Sequence, residues 1–184
     1  IIDGTDSLLI WSEIEPFDSL PLIINPESGW LVSTNQDPFK VTSAESNLNR
    51  DDYSHTLGLQ TRMTNRAYRA LEMLEDKGKI SKDDLLKIKF DNQYSKQSRS
   101  YKYIEAIFNM QFDRKILKDA QKVLLNWDLR TDFNNRGAAL GVCILSHEWL
   151  AEQESRKPPE VMPIFQECVD DPVSYTHLRA HETQ

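Results

Sequence analysis

The chain has 184 residues, with 29 Asp and Glu against 22 Lys and Arg and a formal net charge of -7, a size that fits one domain or a piece of a larger one. The acidic balance argues against a nucleic-acid backbone or an anionic membrane as partner and leaves a small neutral or cationic substrate open. No run approaches the roughly 18 consecutive apolar residues of a transmembrane helix, and the chain opens Ile1-Ile2-Asp3-Gly4 without an initiator methionine, so we read its N-terminus as truncated.

Residues 1–58 have little helical periodicity and are punctuated by Pro16, Pro21, Pro26, Gly29 and Pro38, a pattern of short strands and loops. "PLII" and "GWLVST" are apolar and β-branched and flank "NPESG". In that turn Pro26 suits the second position and Gly29 the last, leaving two short strands with Asn35 at the end of the second. Trp11 and Phe17 are expected to pack on nearby apolar surface.

From Leu59 the period changes to 3.6. Leu59, Met63, Ala67, Ala70 and Leu74 form one stripe, with Gly78 after it as a stop signal. Ser81 and Asp84 resemble a capping box opening a helix that carries Leu85, Ile88 and Phe90. "YIEAIF" supplies Ile104, Ile107 and Phe108. Asp113 is expected to cap a helix with the face Ile116, Ala120, Val123 and Trp127, widened by Leu117 and Leu124. After the polar loop "DLRTDFNNRG", the stretch "AALGVCILSHEWLAEQ" reads as a last, largely buried helix ending before Pro158-Pro159. The whole is an α-rich α+β chain: strands and loops over 1–58, helices over 59–172. Residues 173–184 contain "VSYTHLRAHET", which resembles a translated sequencing adapter, so His177 and His181 are set aside as a half metal site.

Few side chains announce chemistry. His55 and His147 lie near no nucleophile motif. The pairs Asp51-Asp52, Asp83-Asp84 and Asp170-Asp171 are adjacent rather than facing, which suits caps and solvent better than a shared proton. Six scattered glycines exclude phosphate-cradling loops. Cys143 and Cys168 lack metal or redox spacing and read as buried free thiols. Arg66 and Arg69 share a helical face, where a solvated edge competes with an arginine reaching a polar site.

The stretch "LPLIINPESGWLVSTNQDPF", with Pro21, Asn25-Pro26, Gly29-Trp30, Asn35 and Pro38 in order, resembles the penicillin acylase (penicillin amidase) and acyl-homoserine lactone acylase family. "NRAYRALEML", "KISKDDLLKIKFDNQYS" and "LLNWDLRTDFNNRGAAL" continue the resemblance in order, and Trp11, Pro16 and Leu20-Pro21 fit its upstream spacing. The resemblance implies a β-chain piece of an N-terminal nucleophile hydrolase with an αββα fold. Its substrates would be small amides such as β-lactams or N-acyl homoserine lactones, attacked by a serine whose α-amino group is the base. It maps an oxyanion donor onto Asn35 and an arginine ordering the nucleophile's surroundings onto Arg66, with Arg69 the alternative.

The nucleophile, the other donor and the ligands of a structural calcium would lie outside this stretch, and no cofactor takes part in catalysis. The expected partners are the small-molecule substrate, the rest of the β-chain and the α-chain of a self-cleaving precursor, in the periplasm or outside the cell. Alone, residues 1–184 are expected to be inactive. A reading of a different class, a noncatalytic helical binding or scaffold module, rests on the helix stripes and the missing nucleophile.

Overall fold

The computed structural model describes residues 3–10, 13–75 and 77–171; Trp11, His177, His181 and the adapter-like stretch from Val173 lie outside them. The chain divides into two units, Ile1–Arg62 and Met63–Gln184.

The strands expected in the first unit do not form. Its described backbone makes short 3-10 turns at Ser7–Leu9, Phe17–Ser19, Ala44–Ser46, Arg50–Asp52 and His55–Leu57, and no strand. Apolar, β-branched residues make a segment competent for a sheet, but a strand exists only when a second backbone pairs with it. Around "GWLVST" that pairing shrinks to one bond, from the Val32 amide to the Val41 carbonyl at 2.8 Å. Leu20, Leu22, Ile24 and Leu31 accordingly stay exposed, and so does Phe17, against the packing expected of it. The "NPESG" turn closes through the Gly29 amide on the Pro26 carbonyl at 2.9 Å. Gly29, at φ 73, takes the last position as expected. Pro26 takes the first rather than the second, because Asn25, at φ 50, has already turned the chain.

Side chains do the work of a ladder here. The Asn47 carboxamide accepts from the Val41 amide at 2.9 Å and the Thr42 amide at 3.2 Å, and donates to the Thr42 carbonyl at 3.1 Å. Thr42 Oγ1 donates to the Trp30 carbonyl at 2.9 Å. Phe39, buried beside them, meets the Tyr53 ring at 5.4 Å and lies under the Arg50 guanidinium at 5.3 Å.

The second unit is helical: α1 (Asn65–Leu74), α2 (Lys82–Lys89), α3 (Tyr101–Phe108), α4 (Lys115–Leu125), α5 (Ala138–Gln153) and α6 (Val161–Asp170). Thr64 caps α1 by accepting the Ala67 amide at 3.2 Å, so the helix begins at Asn65 and leaves Leu59 and Met63 of the expected stripe outside it, while Ala67, Ala70 and Leu74 are buried as their period requires. The Ser81–Asp84 capping box forms in both directions, each bond at 3.1 Å. The helix it opens has no buried residue, and Leu85 and Phe90 are exposed, contrary to the core face expected. Asp113 does not cap α4; Arg114 is its N-cap and makes no side-chain cap bond. On α4 the buried residues are Leu117, Ala120 and Leu124, so the residues expected to widen the face are its centre.

Helix α6 was not anticipated, because Pro158, Pro159 and Pro163 punctuate "PPEVMPIF" like a loop. Pro163 stands in the first turn, where its missing N–H costs nothing, and Ile164, Phe165, Cys168 and Val169 form a buried face. Helices α3 to α6 pack on one another around Ile104, Ile107, Leu117, Leu124, Ile144 and Phe165, with the Phe112 and Phe165 rings 5.1 Å apart. The isolated bridge between Gln93 and Arg130 is the only β-pairing among the described residues.

Two local features fix this packing. Trp127 follows α4, and its ring rests on the start of α5: a Cβ on Gly137 would stand 2.5 Å from Trp127 Cβ, and one on Gly141 would stand 2.1 Å from Trp127 Cζ3. The indole Nε1 donates to the Arg130 carbonyl at 2.8 Å, so the buried ring leaves no unpaired donor. Cys143 and Cys168 are not free thiols but a disulfide between α5 and α6, with Cα atoms 5.9 Å apart. A separation of 25 residues carries no pairing signal; helix packing brings the two together.

Two outcomes are expected in denaturant titrations followed by helical circular dichroism. Opening the disulfide, by reduction or by Cys143→Ser, removes about 3.5 kcal/mol of stability, the loop-closure value for a crosslink of this span. Gly141→Ala removes at least about 2 kcal/mol, because a new methyl must displace a packed indole.

Candidate functional site

Asn35 sits at φ 57 in a bend of the first unit, exposed to solvent. Asparagine tolerates the left-handed region better than most side chains, so the backbone explains the residue without any chemistry. The bend is held from both sides. The Thr34 amide donates to Gln36 Oε1 at 2.8 Å, and Gln36 Nε2 donates to the Lys40 carbonyl at 2.7 Å. Beyond it Asp37, 6% exposed, accepts the Phe39 amide at 2.9 Å, and its own amide donates to the Arg62 carbonyl at 2.9 Å. The Asn35 carboxamide makes no hydrogen bond among the described residues. It is an anchored backbone carrying an uncommitted donor.

The two arginines of α1 separate clearly. Arg69 is committed: Nε donates to Asp91 Oδ2 at 2.8 Å, Nη2 to Asp91 Oδ1 at 3.0 Å and Nη1 to Glu72 Oε2 at 2.7 Å. This fork is mostly shielded, with side-chain exposures of 17% for Arg69 and 8% for Asp91, and the hydrogen bonds to Asp91 hold the guanidinium above its usual pKa. Ser95 Oγ donates to Glu72 Oε1, while the Ser95 amide donates to Asn65 Oδ1 at 2.8 Å. The cluster ties α1 to the 91–95 loop. Arg66, one turn earlier, is exposed and enters no hydrogen bond or ion pair among the described residues. Asn35 and Arg66 belong to different units.

The remaining candidates are occupied structurally. His55 Nδ1 pairs with Arg50 Nη2 at 2.9 Å on the surface. Ser146 Oγ donates to the Cys143 carbonyl of its own helix at 2.7 Å. Asp84 closes a cap, and Asp170 accepts from Arg114 Nη2 at 2.8 Å. A cavity of about 470 Å³ opens between Arg69, Glu72, Ser95, Lys96, Trp127 and Asp128; Arg69, Glu72, Ser95 and Asp128 reach it already paired.

One grouping escaped the sequence reading. His147 stands beside the disulfide, a ring nitrogen within 4.8 Å of the sulfurs of Cys143 and Cys168, which are bonded to each other and so are not free metal ligands. The i, i+4 spacing of Cys143 and His147 on α5 was the available signal, and Cys168 could join it only once α6 was known.

The contrast between the arginines yields a stability test. Arg69→Leu leaves the Asp91 carboxylate shielded without its counter-charge and is expected to cost about 3 kcal/mol. Arg66→Leu is expected to change urea stability by less than about 0.5 kcal/mol. Equal losses in the two variants would contradict the assignment.

The family model described as penicillin amidase matches residues 1–176 of the chain.

Proposed function

The chain belongs to the penicillin amidase family, an amide-hydrolase family, and from that membership we propose that it is part of the β-chain of an enzyme that removes the acyl group from small amides, β-lactams or N-acyl homoserine lactones among them. The reacting serine, its α-amino base and the second oxyanion donor belong to the rest of that enzyme. Asn35 supplies one donor. As the serine oxygen adds to the amide carbonyl, negative charge collects on the carbonyl oxygen, and a carboxamide N–H held on a fixed turn stabilises it without reorganising, an effect of about 3 to 4 kcal/mol.

The observation that carries this reading is the family match over residues 1–176; the Asn35 turn is compatible with it, since flanking bonds at Thr34, Gln36 and Asp37 fix the backbone while the amide stays uncommitted. Arg66 is the better of the two arginines for ordering the nucleophile's surroundings, since Arg69 is consumed by Asp91 and Glu72.

The αββα architecture and the remaining chains are part of the same proposal. Exposed Leu20, Leu22, Ile24 and Leu31, on backbone that forms no strand among the described residues, suit a segment that completes a sheet with other strands. A structural calcium, if the enzyme holds one, would take its ligands from those other parts. The disulfide favours the periplasm or the extracellular space, where such bonds persist. The rival reading, a noncatalytic helical module, draws on the buried core that α3 to α6 form among themselves.

Asn35→Gly in the complete, processed enzyme decides between the roles. Glycine keeps the left-handed turn without steric cost and removes only the donor, so turnover is expected to fall by about 10² to 10³ with unchanged circular dichroism and unchanged precursor cleavage. Unchanged turnover would leave Asn35 a turn residue and nothing more. Absence of amide hydrolysis in the complete wild-type protein would favour the module.

A further inference from the structure

We propose, resting on the reading of Asn35 as an oxyanion donor, that Gln36 is the positioning residue for that donor: its carboxamide sets where the Asn35 amide stands when charge develops on the substrate. The backbone here has little of its own to hold it. The Val32 amide donates to the Val41 carbonyl at 2.8 Å and the Asp37 amide to the Arg62 carbonyl at 2.9 Å, but between them residues 33–36 make no backbone-to-backbone hydrogen bond among the described residues. Asn35 nevertheless stands at φ 57, a region that L-residues enter at a steric cost.

Gln36 supplies what the backbone lacks. Its Oε1 accepts from the Thr34 amide at 2.8 Å and from the Thr34 hydroxyl, and its Nε2 donates to the Lys40 carbonyl at 2.7 Å. Every hydrogen bond that residues 33–36 make among the described residues therefore runs through this one half-buried side chain. The far anchor is itself fixed, since the Lys40 amide donates to the Asp37 carbonyl at 3.0 Å and the Val41 amide to Asn47 Oδ1 at 2.9 Å. Gln36 ties the residue before Asn35 to that base.

The chemistry of the tie is selective. A carboxamide carries an acceptor and a donor on one planar group, whereas an ionised carboxylate only accepts and an ammonium only donates. Asparagine has the group but is one methylene shorter. Two neighbouring carboxamides thus divide the labour: that of Gln36 is consumed in holding the bend, and that of Asn35 is left for the oxyanion. A donor stabilises the transition state without reorganisation only while it stays in place, and a misplacement of about 1 Å costs up to about 10² in rate.

The test is a double-mutant cycle in the complete, processed enzyme. Gln36→Met, of similar length and without the amide, is expected to lower kcat by about 10- to 100-fold, with unchanged circular dichroism and precursor cleavage. KM for a small amide substrate is expected to stay within about twofold, because an oxyanion donor acts in the transition state. In the Asn35→Gly background the same change is expected to cost less than about twofold more, since the group it positions is already gone. An additive loss in the double variant, a loss confined to KM, or wild-type turnover in Gln36→Met beside an impaired Asn35→Gly would each overturn the role of Gln36 and leave Asn35 as the donor. Wild-type turnover in Asn35→Gly would remove the donor itself, and this proposal with it. If Gln36→Met does not mature, Gln36→Glu, which keeps the bond from Thr34 and loses the one to Lys40, takes its place in the cycle; failure of both to mature would make Gln36 a folding residue and end the proposal.

Discussion

The helical unit depends on a steric bargain struck at Trp127. A large flat ring can lie directly on a helix only where that helix has no side chains under it, and α5 meets the condition with its N-cap Gly137 and with Gly141, one turn further on. The close approach fixes how the end of α4 and the start of α5 meet, and the indole N–H is satisfied at the Arg130 carbonyl. Glycine is a poor helix residue, costing up to about 1 kcal/mol relative to alanine. The aromatic area that the missing Cβ atoms allow to be buried outweighs that cost. Everything downstream, including the seam of α5 and α6, takes its position from this contact.

The polar side chains of this chain divide into those already satisfied within it and those still open to a partner. Arg69, Glu72, Asp91, Ser95 and Asn65 close on one another, and such a cluster resists change because removing any member strands the rest. Arg66 and the Asn35 carboxamide have no such commitments, so either can be recruited by a group presented from elsewhere. A fixed backbone beneath a free donor is what electrostatic stabilisation of a developing charge requires. The same left-handed bend would also select asparagine for purely conformational reasons, which is why glycine rather than alanine separates the two roles.

How legible each part was depended on the range of the forces involved. The burial of Ala67, Ala70, Ile104 and Ile107 and the Ser81–Asp84 cap follow from contacts within one or two helical turns, and the sequence states those directly. Strands at "PLII" and "GWLVST" do not follow from composition, because their hydrogen bonds need a partner that local pattern cannot supply. Helix α6 was hidden by prolines whose meaning changes with position: fatal inside a helix, harmless in its first turn. The disulfide was invisible for a related reason, since its two residues meet only through the α5–α6 packing. At the candidate site, the family resemblance pointed to Asn35 and left two arginines open; the structure adds that Arg69 is paired with Asp91 and Glu72, a fact set by folding that no local pattern carries.

The disulfide has a consequence for the covalent fate of the chain. Between α5 and α6 runs an exposed connection holding Arg156 and Lys157, with Lys157 shielded from trypsin-like cleavage by the proline that follows it. A protease that cuts after Arg156 severs the backbone between Cys143 and Cys168, yet the C-terminal piece stays tethered through sulfur and seated in the core by Ile164 and Phe165. In an oxidising milieu the nicked molecule therefore migrates and folds as one particle. Damage to that loop becomes separation of the pieces only where thiols are abundant.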